Sequence, residues 1–228
     1  MNSKTIFVLF LITASVLYPQ TNHIEALKKG GWSGGLAGWL GWEKFDITDN
    51  LPNSTSSSNV DGFNFVFSSR NGSIVETDAV FGFDFQWRQK NRTISPIIHS
   101  NANISEELNQ KLWFLGLWAR YYVPEGGEFA IFFEGSAGYA SLTEEYYIIN
   151  TTLEYLPKNF EASANGFAYN AGAGISIFVS SQVAFEVTGR WEGGNLSGKR
   201  DYWYYEDNDL DVKIGNWYIL FGFQIFLR

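Results

Sequence analysis

Alternation of apolar and polar residues is the dominant pattern along this chain. In residues 79–88 (AVFGFDFQWR), every second position is alanine or aromatic, and the positions between them hold valine, glycine, aspartate, glutamine and arginine. Successive side chains of a β-strand point to opposite faces, so the pattern predicts a strand with one apolar face.

Eight segments of this kind follow one another along the chain. A tilted membrane-spanning strand needs about 9–11 residues, and each segment is at least that long. The predicted strands are residues 31–45, 61–70, 79–88, 113–122, 129–140, 167–178, 183–192 and 216–228.

The connections between these segments alternate in length. Residues 69–78, 123–127 and 179–182 are predicted turns, whereas residues 46–60, 89–112, 141–166 and 193–215 are predicted long polar loops. An even number of antiparallel strands with short turns at one end and long loops at the other is typical of bacterial outer-membrane barrels. The sequence therefore predicts an all-β fold: an eight-stranded antiparallel transmembrane meander barrel with short periplasmic turns, long extracellular loops and both termini in the periplasm.

A soluble lipocalin-like barrel is the alternative, because it too has eight alternating strands, with the apolar face inside. Its outward face would then be rich in glycine and poor in charge, which makes a poor aqueous surface. The glycines concerned are Gly82, Gly116, Gly138, Gly172, Gly174 and Gly222. The membrane interpretation instead places small residues in a narrow lumen, where they leave room for arginine and aromatic side chains.

Aromatic residues near the loop end of the apolar face support the membrane interpretation. Indole and phenol rings favour the headgroup boundary of a bilayer, so they form girdles on membrane barrels. The predicted girdle consists of Trp42, Trp87, Trp113, Tyr139, Tyr169, Trp191 and Trp217.

Several short stretches resemble the small outer-membrane β-barrel domain family, which is related in shape to OmpX- and OmpA-type eight-stranded barrels and is abundant in Bacteroidota. They are KGGWSGG (29–35), VETDAVFG (75–82), ARYYVP (119–124), FEGSAGY (133–139) and VAFE (183–186). The resemblance covers roughly residues 28–228 and implies an outer-membrane barrel. The chain departs from many such barrels at its C-terminus, which ends Phe226-Leu227-Arg228 rather than on an aromatic residue.

Composition excludes several classes of function. The net charge of −8 argues against nucleic acid as a partner, and the absence of cysteine removes disulfides and thiolate sites. With two histidines in the whole chain, we expect neither a metal site nor a cofactor. Residues 1–20 have the pattern of a signal peptide, residues 21–29 a short periplasmic segment, and residues 30–228 the barrel.

The inward face of the middle strands carries charges of both signs. The predicted lumen network is Asp84, Arg88, Arg120, Glu134, Glu186 and Arg190. Because the interior of an eight-stranded barrel is just wide enough for side chains, these charges are expected to form a salt-bridged plug. The alternative is a narrow channel or small-ligand barrel.

Catalysis is a weaker hypothesis, and no catalytic residue is predicted. A lipid-modifying enzyme would need a nucleophile activated by a nearby base, and His99 beside Ser100 is the candidate pair in a predicted loop.

The last predicted loop looks more like an interaction surface. Its candidate residues are Tyr202, Trp203, Tyr204, Tyr205, Asp207, Asp209 and Asp211. The acids imitate the start of a calcium loop, but Val212 and Tyr218 stand where its glycine and glutamate should be. Divalent cations could bridge the acids to lipopolysaccharide, and the hairpin could offer an edge to which a partner adds a strand.

We therefore expect a non-enzymatic structural or interaction protein. Its expected partners are outer-membrane lipid and lipopolysaccharide. The abundance of phenylalanine and tryptophan on the predicted outer face suggests a further role, as an accessory subunit docked to another outer-membrane protein in a larger complex.

Overall fold

The chain forms a closed barrel of eight strands. The computed structural model describes residues 26–51, 54–99, 102–123, 128–150, 159–202 and 205–227. The strands are β1 Trp32–Leu51, β2 Ser54–Glu76, β3 Ala79–His99, β4 Ala102–Tyr122, β5 Phe129–Asn150, β6 Asn159–Phe178, β7 Val183–Tyr202 and β8 Tyr205–Leu227. Each strand pairs antiparallel with its neighbours in sequence, and β1 pairs with β8 to close the ring. The predicted eight-stranded antiparallel meander is confirmed.

The two ends of the barrel are distinguished by which ends of β1 and β8 lie there. We call the end at which β1 begins and β8 finishes the terminal end, since Trp32 pairs there with Leu227. The opposite end, where β1 finishes and β8 begins, is the distal end. Among the described residues, no helix is long and apolar enough to cross a bilayer.

The prediction of long polar loops is wrong. At the distal end only residues 52–53, 100–101, 151–158 and 203–204 separate consecutive strands, and most of the predicted loop residues belong to paired strands. The predicted turn at 69–78 is also too long, because β2 continues to Glu76. Where the side chains are described, most outward positions of these extensions are polar, as at Asn165, Ser197 and Lys213, so the apolar alternation ends although the ladder continues.

The extensions make the barrel taller than a membrane requires. The strand β3 has 21 residues. At about 3.3 Å per residue and a tilt of about 40°, such a strand rises about 50 Å, roughly twice the ~25 Å apolar band of a membrane barrel. About half of the barrel wall therefore lies outside such a band.

The outer and inner faces are sharply different. Outward aromatic and aliphatic side chains cover the terminal half; Phe83 is 60% exposed and Trp217 71%. Inward side chains are buried, including the arginine and glutamate side chains of the lumen. The distal half of the lumen holds what we call the distal apolar cluster: Leu108, Leu112, Phe114, Ala140, Leu142, Ala162, Ala164, Ala168, Leu196, Leu210, Val212 and Ile214.

The segment before β1 fills the lumen at the terminal end. Ala26 and Leu27 are buried in an aromatic layer with Trp118 and Phe132. The chain reaches β1 through Gly30, whose φ of 86° lies in the left-handed region that glycine tolerates best. Part of the segment predicted to lie in the periplasm is thus a plug in the mouth of the barrel.

The wall between β2 and β3 is the shortest ladder. Its partners run from Glu76 and Ala79 to Phe65 and Gln89. Beyond that register, in the part of the chain that the structure describes, residues 54–64 of β2 pair with β1 alone, and β3 pairs with β4 alone. Two strand edges therefore face each other at the distal end with no ladder between them.

Inward glycines are required by the close approach of neighbouring strands. A Cβ added at Gly138 would lie 2.2 Å from the Leu115 carbonyl oxygen and 2.3 Å from the Gly116 Cα. At Gly189, which is exposed on the outer face, the nearest atom would be 3.9 Å away.

We therefore expect Gly138→Ala to lower the free energy of unfolding by about 1–3 kcal/mol, the usual cost of overpacking. Gly189→Ala is the matched control and should change it by less than about 0.5 kcal/mol, as surface substitutions do. Urea unfolding of the refolded barrel, followed by tryptophan fluorescence, measures both. Equal stability of the two variants would contradict the inward packing of Gly138.

Candidate functional site: the charged lumen

Six charged side chains converge in the lumen of the terminal half. We call them the central cluster: Arg70 from β2, Asp84 from β3, Arg120 from β4, Glu134 from β5, and Glu186 and Arg190 from β7. All six are buried, and the three arginines balance the three acids. Each occupies an inward position of its strand, so the alternation of the strands aims all six at one another.

Glu134 is the centre of this cluster because three guanidinium groups share its carboxylate. Its Oε2 lies 2.5 Å from Arg70 Nη1 and 2.8 Å from Arg120 Nη2. Its Oε1 accepts a hydrogen bond of 2.6 Å from Arg190 Nη2. The Trp118 indole also donates to Oε2, at 3.3 Å.

The other two acids complete the charge balance. Glu186 accepts two hydrogen bonds from Arg120, one of them 3.0 Å from Nη2, and one of 2.9 Å from the Ser176 hydroxyl. Asp84 lies 3.4 Å from Arg190 Nη1 and accepts hydrogen bonds from Gln86 at 2.8 Å and Ser136 at 3.0 Å. Every carboxylate of the cluster thus contacts at least one guanidinium group.

A second ion pair adjoins the central cluster. Arg88 donates to Glu192 and, at 2.8 Å, to the Tyr218 hydroxyl, which itself donates to Glu192 at 2.7 Å. Gln86 joins the two groups, since it donates to Asp84 and accepts from Arg88 at 3.0 Å.

A third pair lies farther toward the distal end. Arg200 Nη2 and Glu144 Oε2 are 2.5 Å apart, and Gln110 donates to the other oxygen of Glu144 at 2.5 Å. Both charges are buried, and the Tyr146 hydroxyl donates to Glu144 at 3.2 Å.

These contacts fill the lumen with paired charge. Removing ions from water costs several kcal/mol each unless partners of opposite sign are close, and the partners here are at hydrogen-bond distance. Aromatic packing completes the filling, as the Arg120 guanidinium lies 3.8 Å from the centre of the Phe132 ring. Each ion pair of the lumen is therefore neutralised and held in position by partners within the protein.

The structure brings five of the six sequence-predicted lumen residues into the central cluster. The sixth, Arg88, lies in the adjoining pair with Glu192. Sequence reasoning omitted Arg70 because it stands at the last position of predicted strand 61–70, and Arg200 and Glu144 because they fall in predicted loops. Continuing the inward positions Val66 and Ser68 by one step along the strand places Arg70 in the lumen as well.

The predicted girdle residues lie on the outer face wherever their side chains are described. Trp87, Trp113, Tyr139, Tyr169 and Trp217 are exposed, whereas Trp191 is half-buried. Trp42 lies in β1 opposite Trp217 by backbone register, and its side chain is outside the described residues.

Neighbouring strands also bring the aromatic residues together. Trp217 is the cross-strand partner of Trp191, and Trp87 that of Trp113. Ring centres are 5.3 Å apart for Tyr169 and Trp191, and 5.4 Å apart for Trp113 and Tyr139.

Beyond the aromatic residues the outer surface becomes polar and charged. Lys111 Nζ lies 3.0 Å from Glu145, and hydrogen bonds from Lys111 and Tyr147 hold the pKa of Glu145 below its usual value. Lys199 lies 3.1 Å from Asp209, and Ser197 donates to Asp211 at 3.1 Å. The exposed Asp209 and Asp211 thus belong to the wall of the barrel rather than to a loop.

The other predicted loop candidates lie at the edge of the described residues or beyond it. The side chains of Tyr202, Tyr205 and Asp207 are outside them, as are Trp203 and Tyr204 altogether. The expected free edge of this hairpin is absent as far as the structure describes it: β7 pairs with β6 up to Arg200, and β8 with β1 down to Asp209. The His99 side chain and Ser100 are outside the described residues too.

No protein-family model matches the chain, and no curated protein matches its sequence. The barrel is similar to solved structures of other barrels. Ail of Yersinia pestis, in complex with the heparin analogue sucrose octasulfate, is 12% identical with a TM-score of 0.46, over 86% of this chain and 99% of that one. The outer-membrane protein OprG of Pseudomonas aeruginosa is 10% identical with a TM-score of 0.49, over 89% and 99%. The outer-membrane protease OmpT of Escherichia coli is 11% identical with a TM-score of 0.41, over 87% and 94%.

Removing the central carboxylate should destabilise the barrel strongly. Glu134→Gln leaves three buried guanidinium groups with two acids, and breaking a buried ion pair in this way costs about 3–5 kcal/mol. Urea unfolding measures the loss. The half-buried pair of Lys111 and Glu145 on the outer surface supplies the control: Glu145→Gln should leave the unfolding midpoint nearly unchanged, because surface pairs contribute little.

A compensating substitution tests whether charge balance is the cause. Arg70→Met together with Glu134→Gln removes one charge of each sign, so the double variant should be more stable than Glu134→Gln alone. A double variant that is less stable than the single one would contradict this explanation.

Proposed function

We propose that this protein is a non-enzymatic barrel of the bacterial outer membrane, with a closed lumen and both termini in the periplasm, and that it serves as a structural or interaction protein. The observation that carries the proposal is the combination of an exposed apolar outer band with a lumen full of buried, paired charges. A water-soluble barrel would have the opposite arrangement.

The outer face supports a membrane location. Its apolar side chains cover the terminal half, and tryptophan and tyrosine residues mark the level at which the surface turns polar. Such a band with an aromatic boundary is the expected surface of an outer-membrane barrel. The polar distal half would then stand in the lipopolysaccharide layer and above it.

The lumen favours a structural role over a channel. Glu134, Arg120 and Arg190 meet at hydrogen-bond distance across the barrel, and the distal apolar cluster lies beyond them. An ion on this route would have to displace these buried salt bridges and then pass the distal apolar cluster and the buried Arg200–Glu144 pair. Paired in this way, the buried charges are neutralised at the level where the barrel would meet the membrane core.

The distal half supports an interaction role. Its ladders, apart from the wall between β2 and β3, form an extension that would place the strand ends about 25 Å above the apolar band, given a total rise of about 50 Å. The edges of β2 and β3 that face each other there carry backbone groups to which an extended segment of another protein could pair. The expected contacts are lipopolysaccharide along the wall and another outer-membrane protein.

A charge placed in the apolar band tests the membrane location. Phe83→Lys should abolish insertion or lower the stability in lipid by about 2–4 kcal/mol, the cost of lysine near the bilayer midplane. Ser197→Lys is the control, because Ser197 is exposed in the polar half opposite Asp211. The measurement is the fraction of the protein in the outer membrane whose gel mobility changes on boiling. Normal insertion of Phe83→Lys would refute the membrane assignment.

A barrel with a closed lumen should not conduct ions. The purified barrel, reconstituted in planar bilayers, should give no discrete conductance steps, because paired side chains fill its interior. Discrete single-channel currents from protein with heat-dependent gel mobility would favour the narrow channel instead. The insertion test and the conductance test are independent of each other.

A further inference from the structure

One strand breaks the apolar outer band. On β2 the outward positions Ser69, Asn71 and Ser73 form what we call the polar stripe; Asn71 and Ser73 are exposed and Ser69 is half-buried. The neighbouring strand β3 presents phenylalanine at the paired positions, and the strand on the other side, β1, presents Trp32 and Leu36.

The polar stripe lies at the middle height of the band. Ser69 pairs with Phe85, Asn71 with Phe83 and Ser73 with Phe81. The next outward residue of β2, Phe67, pairs with Trp87 at the aromatic boundary. If this band meets lipid, as the proposed function states, Asn71 faces the hydrocarbon core.

In contact with lipid, the side chains of this stripe would have too few hydrogen-bond partners. Asn71 Nδ2 donates to Ser69 Oγ at 3.0 Å. A side-chain amide has two donor hydrogens and an acceptor oxygen with two lone pairs, so one such bond uses a quarter of its capacity. Acyl chains offer neither donors nor acceptors, and uncompensated polar groups at this depth are costly.

The surface next to the polar stripe on β1 combines an aromatic ring with a small residue. Gly34, the cross-strand partner of Asn71, is buried beneath the Trp32 ring, whereas Gly38, the partner of Phe67, is half-buried and has no atom nearer than 3.6 Å to an added Cβ. Small residues beside polar ones are what close interfaces within a membrane require, because they let backbones approach while the polar groups bond across the contact.

We propose that the polar stripe is the contact face of a homodimer, in which a second copy of this chain docks about a two-fold axis along the membrane normal. This inference rests on the proposed membrane location. Such an axis brings each residue opposite its own copy at the same height. Asparagine and serine both donate and accept, so the stripe is complementary to itself. Asn71 faces Asn71 of the partner subunit, and Ser69 and Ser73 each face their own copy.

The absence of cysteine from the chain makes the test direct. Ser73→Cys, which keeps Asn71, is oxidised in intact outer membranes and examined on a non-reducing gel, and it should cross-link to a species of twice the monomer mass. Ala173→Cys is the matched control, because Ala173 is exposed on the outer face of β6, four strands away around the ring. It should stay monomeric.

Each other outcome overturns the homodimer. Cross-linking of Ala173→Cys but not of Ser73→Cys would place the contact on the opposite wall. Cross-linking of Ser73→Cys to a different protein would identify a heterologous partner for the stripe. Monomers in both variants would mean that lipid covers the stripe.

A second experiment does not depend on cysteine chemistry. The variant Ser69→Ala/Asn71→Leu/Ser73→Ala should raise the dimer dissociation constant in detergent roughly tenfold, as the loss of interfacial hydrogen bonds in membranes suggests. Analytical ultracentrifugation measures it, and Asn165→Leu in the polar half of β6 is the control. An unchanged dissociation constant would refute the inference.

Heat-dependent gel mobility of the same samples separates this inference from the proposed function. Monomers that keep the mobility shift would refute the dimer and leave the membrane barrel standing. Loss of the shift in the unmodified protein would refute the membrane barrel itself.

Discussion

Glu134 and the three guanidinium groups around it are the constraint on which the rest of the barrel depends. The interior of an eight-stranded barrel has room for side chains and little else, so buried charges must find partners among themselves. Three arginines and several large aromatic residues fit only because the positions facing them are small. A Cβ at Gly174 would lie 2.5 Å from the Phe132 ring, and one at Gly116 2.5 Å from the Phe114 ring.

The pairing register of the strands and the ion network depend on each other. Arg120 and Glu134 are direct cross-strand partners, as are Arg70 and Asp84. A slip of one residue would turn every inward side chain of a strand to the outside, which would expose arginine to the apolar surroundings and separate the pairs. The charges therefore select one register, while the outward aromatic residues need that same register to form a continuous band.

The sequence was sufficient to predict the number of strands, their antiparallel order and the side of each strand that faces the lumen, because apolar alternation reports those features directly. It was not sufficient to predict where the strands end. Alternation marks only the part of a strand whose outer face is apolar, so the extensions that carry Glu144 and Arg200 were assigned to loops. The inward leucines of the extensions, such as Leu108 and Leu196, alternate with polar outward residues, which is the pattern of a strand with one face in water.

The same limit applies to the lumen. Residue type and direction identified most of the central cluster, but the partners depend on which strands meet across the barrel. Arg88 was grouped with the central acids by its direction alone, whereas its carboxylate partner is Glu192, 104 residues away in the sequence. A single sequence gives the face on which a charge lies and not the strand that faces it.

The strand β2 shows how closely the two faces of the wall are linked. Arg70 points into the lumen between Ser69 and Asn71, which point out. Sliding β2 by one residue would bury Asn71 but would move Arg70 onto the apolar outer surface, at a far greater cost than that of an amide. The barrel cannot remove the polar stripe by rearranging itself, because the ion network around Glu134 holds β2 in place, so any compensation for Asn71 must come from a molecule outside the barrel.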